Sequence, residues 1–405
     1  MTEQLYFDDP LTLDFTAEVT QVLTLPDGRF GAVLPRTYFY PTSGGQEHDT
    51  GSLGPARVLD VVKQNGEILH VLDRKVDPGL HPARIDGERR FRHMQHHTGQ
   101  HILSAAFIEV LGIDSISANI NGDSPSTIDL DTDPASTTGA VSGSDLNRVE
   151  TFTSGVLFEN RPVKSYYVTD ADVPNIPFRK PPKVTGRIRV VEVDGLDITP
   201  CGGTHCLSTG MVGVLKIVRT ERANQKLRVH FVAGAQALEF FQQAQAAAQG
   251  AALALDTGLD GVVGSIERLQ AQLKQASFEL DNLREIALEL EAGKLAEAAG
   301  PVGTRRLVTA LFEGRDPADL RILAQKLRGR AGTVSLLVAF DGRKLSLVAS
   351  CADDTGLDAR DLLQKHLAPF GGRGGGDARL AQGGGPVDGD ALEGLFANTK
   401  GYLEG

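Results

Sequence analysis

Between residues 15 and 73, short β-branched runs alternate with turn residues, among them Pro26-Asp27-Gly28 and Asn65-Gly66. Asn-Gly between apolar runs is a hairpin signal, because both central positions favour positive φ. This stretch predicts a small β-rich, barrel-like domain. From about Arg89 the apolar period becomes helical and holds to Leu111, where Gly112 supplies a stop. Residues 124–131 and 187–193 then read as strands, and the polar stretch 131–144 as a loop. Residues 212–232 read as a two-stranded ribbon, with Ile217-Val218 and Val229-Phe231 as apolar faces and Ala223-Asn224-Gln225 at the bend.

From Ala235 the composition shifts to Ala, Gln, Leu and Glu, predicting two helices broken at Asp256-Thr257-Gly258. In the second, Ile266, Leu269, Leu273, Ala276, Leu280, Leu283, Ala287 and Leu290 alternate steps of three and four, a heptad seam of about four repeats. The seam needs a partner, either the first helix or a second chain. Beyond Gly300 the order is strand 306–312, helix 317–327, strands 334–340 and 345–351, and helix 358–367. The expected class is therefore α+β, in four parts: a barrel-like subdomain over 1–88, an α+β domain over 89–233, a helical linker over 234–300 and an α/β domain over 301–405. The glycine-rich segments 371–377 and 381–385 read as two loops that bring backbone N–H groups against a phosphate or a partner surface, with a flexible linker as the alternative.

Composition narrows the class further. At 405 residues the chain exceeds one ordinary core, and 41% hydrophobic with 23% charged residues is a folded balance. Cys201, Cys206 and Cys351 are odd in number and lack disulfide-like spacing, which points to a reducing, cytoplasmic compartment. No apolar run approaches the roughly 18 residues of a membrane span, so no membrane partner is expected. The net charge of −11 opposes wholesale phosphate binding. Local clusters run the other way: Arg84, Arg89, Arg90 and Arg92; Arg179, Lys180, Lys183, Arg187 and Arg189; Arg321, Lys326, Arg328 and Arg330. Each alone reads as a solvated face. Beside chemically loaded segments, Arg89, Arg90, Arg92, Lys180, Lys183 and, in the tail, Arg373 become candidate RNA contacts.

Chemistry concentrates at two spaced pairs. His97 and His101 lie one turn apart on a single helix face, which His93 shares and His96 does not. Cys201 and His205 bracket Gly202-Gly203-Thr204 on a tight loop following Asp197-Ile198-Thr199-Pro200. Three imidazoles and a thiolate form a set that zinc prefers in tetrahedral geometry, with Cys206 as a competing thiol. One zinc per chain is expected. Thr98-Gly99-Gln100 between the first two histidines lacks the glutamate of HExxH metalloproteases, which disfavours protease chemistry.

His97-Thr98-Gly99-Gln100-His101 and Cys201-Gly202-Gly203-Thr204-His205 resemble the HxxxH and CxxxH motifs of the alanyl-tRNA editing domain, shared with the freestanding AlaX proteins. Phe39-Tyr40-Pro41-Thr42-Ser43-Gly44-Gly45-Gln46 is similar to that family's glycine-rich motif, and the glycine-rich tail resembles the carboxy-terminal domain of alanyl-tRNA synthetase, related to the domain that follows DHH phosphoesterase cores. The long form of AlaX is the best overall match. The resemblance implies hydrolysis of the aminoacyl ester of mischarged alanine-type tRNA, with serine before glycine. It also selects Cys201 over Cys206. Thr98, Gln46 and Thr42 are candidate orienting groups for the hydrolysis, and a homodimer through the tail domain, helped by the heptad seam of Ile266 to Leu290, is expected. With four protein ligands the site is formally closed, so either one ligand is displaced or the ion grips the substrate amino group while a separate water attacks. The competing readings are a tRNA-binding protein with structural zinc and, more remotely, a DHH-type phosphoesterase, for which no Asp-His-His triplet occurs.

Overall fold

The computed structural model describes residues 1–64, 66–132, 141–223, 226–386, 396 and 399. It divides into two compact units, Met1–Ala251 and Ala252–Gly405. The described residues form six α-helices and several sheets, a mixed α+β fold.

The first unit opens with a seven-stranded antiparallel sheet in the order Asp14–Val19, Gly79–Ile85, Gly51–Leu53, Ala56–Gln64, Glu67–Leu72, Phe30–Val33, Gln21–Thr24. Its two edge strands are joined by the single residue Thr20, so the sheet must curl back on itself into a half-barrel. Alternation sets the inner face: Ala17 and Val19 are buried while Asp14, Thr16 and Glu18 are exposed. Gln64 pairs with Glu67 across a tight hairpin in which Gly66 has φ 81°. Asn65, the other half of that turn signal, lies outside the described residues.

Helix α1, Gly87–Leu111, starts where the Asp86 side chain accepts the Arg89 N–H and stops at Gly112 with φ 70°. Every residue from His93 to Phe107 is buried. Part of the cover is α2, Gly143–Phe158, which begins with a capping box between Ser142 and Asp145. The loop expected over 131–144 therefore ends at a helix start, and its residues 133–140 lie outside the described set. A four-stranded antiparallel sheet, in the order Ser115–Asn119, Ser126–Leu130, Lys226–Ala233, Leu215–Ala223, shares one core with α1 and α2. Its last two strands are the expected ribbon; Asn224 and Gln225 of its bend lie outside the described residues. A three-stranded sheet of Val163–Val168, Ile188–Val193 and Asp197–Pro200 completes the framework.

Helices α3, Ala235–Ala254, and α4, Val262–Ala298, are separated where Asp256 takes φ 48°. The heptad positions Ile266, Leu269, Leu273, Leu280, Leu283 and Leu290 are 43% to 70% exposed, whereas Leu288, Ala292 and Ala296 carry the packing of α4. No helix among the described residues is long and apolar enough to cross a membrane.

The second unit is a six-stranded sheet with helices on both faces. Along Thr333–Phe340, Val334, Leu336 and Val338 point to α6, Ala359–Leu367, while Leu337 and Ala339 point to α4 and to α5, Pro317–Arg328. Among the described strands of this sheet one pair is parallel, Arg305–Glu313 with Thr333–Phe340, and it is bridged by α5. The glycine-rich segments depart from expectation. They are strands, Arg373–Gly376 and Leu380–Pro386, and not loops cradling a phosphate. A Cβ on Gly383 would sit 2.5 Å from Leu367 Cδ1 and 2.7 Å from Gly374 Cα, and one on Gly374 would sit 2.8 Å from Leu363 Cδ2. Glycine here lets α6 rest on bare backbone.

Candidate metal centre

His97 and His101 project from the fully buried part of α1, and Cys201 and His205 come from the loop that follows the strand Asp197–Pro200. One ligand atom from each of the four lies within 4.8 Å of all the others. Cys201 Sγ is 3.3 Å from His97 Nε2 and 3.6 Å from His205 Nε2. His101 Nε2 is buried without a hydrogen-bond partner. Leaving such a group unsatisfied costs about 1–3 kcal/mol, which a cation receiving its lone pair removes. The group could hold a metal ion, and its donor chemistry suits zinc.

Each imidazole is fixed through its other nitrogen. His97 Nδ1 is 2.8 Å from Gln46 Oε1, His101 Nδ1 is 2.8 Å from Asp197 Oδ2, and His205 Nδ1 is 3.1 Å from the Gly203 carbonyl. These acceptors place the proton on Nδ1 and leave every Nε2 lone pair facing the shared space. A further layer holds the acceptors. Gln46 donates to Thr204 Oγ1 at 2.8 Å and accepts the Thr204 N–H at 3.1 Å. Asp197 is gripped by Arg179 Nε at 2.7 Å and by the Thr199 hydroxyl at 2.9 Å. Arg189 donates to the carbonyls of Cys201 at 2.8 Å and Gly203 at 3.0 Å, and Tyr40 Oη lies 3.0 Å from the carbonyls of Ser43 and Gly202. A Cβ on Gly203 would fall 2.1 Å from His97 Cε1, so only glycine fits that turn of the loop.

The electrostatics favour a thiolate. Burial pushes the Cys201 thiol up, but the surrounding imidazoles of His97, His205 and His101 pull it well below an ordinary thiol. Burial pushes His101 down, yet the Asp197 carboxylate and Cys201 reverse this and raise it to about 9. Burial opposes ionisation of Asp197, and His101 and Arg179 overcome it to hold the carboxyl near about 2. His205 is pushed down to about 3 by burial.

Comparison with known proteins adds lineage to this geometry. The family model described as the threonyl and alanyl tRNA synthetase second additional domain matches residues 188–229, which include Cys201 and His205, and the DHHA1 domain model matches 303–404. The alanine–tRNA ligase of Pyrococcus abyssi is 32% identical over 398 residues, covering 94% of this chain and 42% of that protein. The corresponding ligase of Thermococcus kodakarensis is 32% identical over 400 residues, covering 94% of this chain and 41% of that protein. The chain is thus similar to alanine–tRNA ligases over 94% of its own length. It spans about two fifths of the length of the curated relatives it matches. Among solved structures, the C-Ala domain from Aquifex aeolicus alanyl-tRNA synthetase matches at 30% identity over 26% of this chain and 98% of that domain, with a TM-score of 0.25.

The three expected orienting groups part company. Gln46 is buried and supports His97. Thr98 is also buried, and its hydroxyl accepts the Cys206 N–H at 2.9 Å, which commits it to tying α1 to the ligand loop. Thr42 is exposed and lies 3.1 Å from His48 Nδ1. Cys206 is buried outside the four-donor group, and burial pushes its thiol up to about 12. His96 is occupied by Ser126 Oγ at 2.7 Å and by the Ala233 N–H at 3.2 Å.

The basic residues divide by burial. Arg90 is 1% exposed and bonds both carboxylate oxygens of buried Asp49 at 3.1 Å, so it is structural and unavailable to a phosphate. Arg89 is largely covered and pairs with Glu47 at 2.9 Å and with Asp123. Arg92 has Glu88 at 3.7 Å, and Lys180 has Asp114 at 3.5 Å. Lys183 and Arg373 are exposed. Sequence reasoning missed Asp197, Arg179, Arg189 and Tyr40 as supports of the centre. Asp197 was the most accessible of them, a carboxylate four residues before Cys201.

Proposed function

We propose that the protein is a zinc-dependent hydrolase that removes serine, and secondarily glycine, from mischarged alanine-type tRNA. The observation that carries this reading is the convergence of His97, His101, Cys201 and His205 with every imidazole pre-set through Nδ1. A tRNA-related role follows from the alanine–tRNA ligase relatives and the two matched domains. Held by His97, His101, Cys201 and His205, a zinc ion would supply Lewis acidity. The chain's own residues do the rest: Gln46, Asp197 and the Gly203 carbonyl orient the ligands, and Arg189 and Tyr40 fix the loop that presents Cys201. Hydrolysis after charging is the physical answer to a small difference in side chain, since one small group changes pocket affinity by only about 1–3 kcal/mol.

A closed set of four donors also suits a purely structural ion in an RNA-binding protein. Loss of labelled serine from purified mischarged tRNA, with zinc-loaded and chelator-treated protein compared, separates the two readings. Metal-dependent release supports the hydrolase; binding without release supports the structural ion. We further propose a homodimer formed through the second unit with help from the exposed α4 seam, which light scattering tests, a monomer at micromolar concentration refuting it.

A further inference from the structure

A cavity of about 320 Å³ opens beside the candidate metal centre, and Phe7, Asp8, Tyr167, Arg189, His205 and Leu207 are among its walls. His205, one of the four donors, forms part of its wall, so the cavity adjoins the four-donor group. The volume is at the low end of the ~300–1,000 Å³ range of small-molecule sites, enough for a single nucleoside and not for a stem.

The lining has two features that suit one nucleotide. Arg189 carries a positive charge whose hydrogen bonds all go to neutral oxygens: the carbonyls of Cys201 and Gly203, and Ser165 Oγ at 2.9 Å. No carboxylate lies within ion-pair distance of it among the described residues, and its Nε is buried without a partner. Such a cation attracts an anionic group entering the cavity. The lining's one carboxylate, Asp8, is exposed. The second feature is aromatic. Phe7 and Tyr167 both line the cavity, Arg187 lies 3.8 Å over the Tyr167 ring, and the Arg189 guanidinium lies 4.6 Å from the Phe7 ring centre. Aromatic rings and guanidinium planes are the surfaces on which unpaired bases stack.

Resting on the hydrolase reading above, we propose that this cavity receives the terminal nucleotide of the RNA substrate. Its base lies against Tyr167 and Phe7, its phosphate is drawn by Arg189, and its esterified ribose is directed to the four-donor group. Tyr167 is thereby a substrate-binding residue that no part of the zinc motif announces.

The test uses full-length, zinc-loaded wild type, Tyr167→Ala and Tyr167→Phe, with mischarged seryl-tRNA as substrate and adenosine 5′-monophosphate as probe. Stacking on an aromatic side chain contributes about 1–3 kcal/mol per base, so Tyr167→Ala should raise both KM and the dissociation constant of the monophosphate by about 10-fold, and Tyr167→Phe should restore both. Zinc content should be equal in all three, which shows that the neighbouring centre is intact. Unchanged KM and unchanged monophosphate binding in Tyr167→Ala, with wild type active, would overturn the assignment. So would a wild type that binds no monophosphate at millimolar concentration, whatever its hydrolytic activity. Tyr167-dependent nucleotide binding without any serine release would keep the cavity and remove the hydrolase reading.

Discussion

Replacing Gln46 by alanine isolates the support of a single ligand. The side chain is fully buried and spans two elements: Oε1 accepts from His97 Nδ1 at 2.8 Å and from the Thr204 N–H at 3.1 Å, and Nε2 donates to Thr204 Oγ1 at 2.8 Å. Truncation leaves the His97 N–H and the Thr204 N–H without acceptors and frees the His97 ring to rotate off the centre. Loss of a group that orients a metal ligand typically costs about 10–100-fold in metal affinity, equivalent to about 1.4–2.7 kcal/mol. Zinc dissociation constants by competition with a chromophoric chelator should therefore rise by that factor in Gln46→Ala. They should rise much less in Gln46→Glu, which keeps an acceptor facing Nδ1. Thr98→Val is the matched control, because it removes a buried bond to the Cys206 N–H without touching a ligand ring. It should lower stability and leave zinc affinity within about threefold of wild type, below the range for a group that orients a ligand. A zinc affinity in Gln46→Ala indistinguishable from that of Thr98→Val would refute the claim that Gln46 orients His97.

Other substitutions reach further into the fold. Arg90→Leu breaks a fully buried ion pair with Asp49 and should cost about 3–5 kcal/mol in urea unfolding, while leaving the salt dependence of RNA binding unchanged; a reduced salt slope would return Arg90 to the RNA interface. Gly383→Ala places a Cβ 2.5 Å from Leu367 Cδ1 and should destabilise the second unit by about 1–3 kcal/mol in thermal melts, with zinc content unaffected; a wild-type melting profile would remove the packing role of that glycine. Burial lowers His70 from 6.5 to about 4, so the unfolded chain takes up a proton that the folded chain refuses between those values. Stability should be greatest above pH 6.5 and fall by about 3 kcal/mol on acidification to pH 4, with His70→Gln flattening that part of the profile; an unchanged profile in the variant would assign the acid lability elsewhere.

What could be read from the chain depended on how local its cause was. Helix α1 was legible because its period, its start near Arg89 and its stop at Gly112 agree, and the strands and helices of residues 306–367 were legible for similar local reasons. Helix α2 escaped because its capping box, Ser142 with Asp145, is set in a polar run, and only Val149, Thr153, Val156 and Leu157 of its length are buried. The glycine strands escaped because their strand character comes from pairing with Lys344–Cys351 and from the close approach of α6, neither of which is local. The four donors stood out by residue type and spacing. Their supports did not, since Gln46 meets Thr204 across 158 residues, and a run of arginines cannot reveal that Asp49, 41 residues away, buries one of them.

The most direct test of the account is the ratio of two rates on one RNA: release of serine and release of alanine from alanine-type tRNA by the zinc-loaded chain. The account predicts that seryl-tRNA is cleared far faster than alanyl-tRNA and that Cys201→Ala reduces serine release to the spontaneous rate of ester decay. Equal rates for the two substrates would contradict editing selectivity, and serine release undiminished in Cys201→Ala would contradict the metal centre on which the account rests.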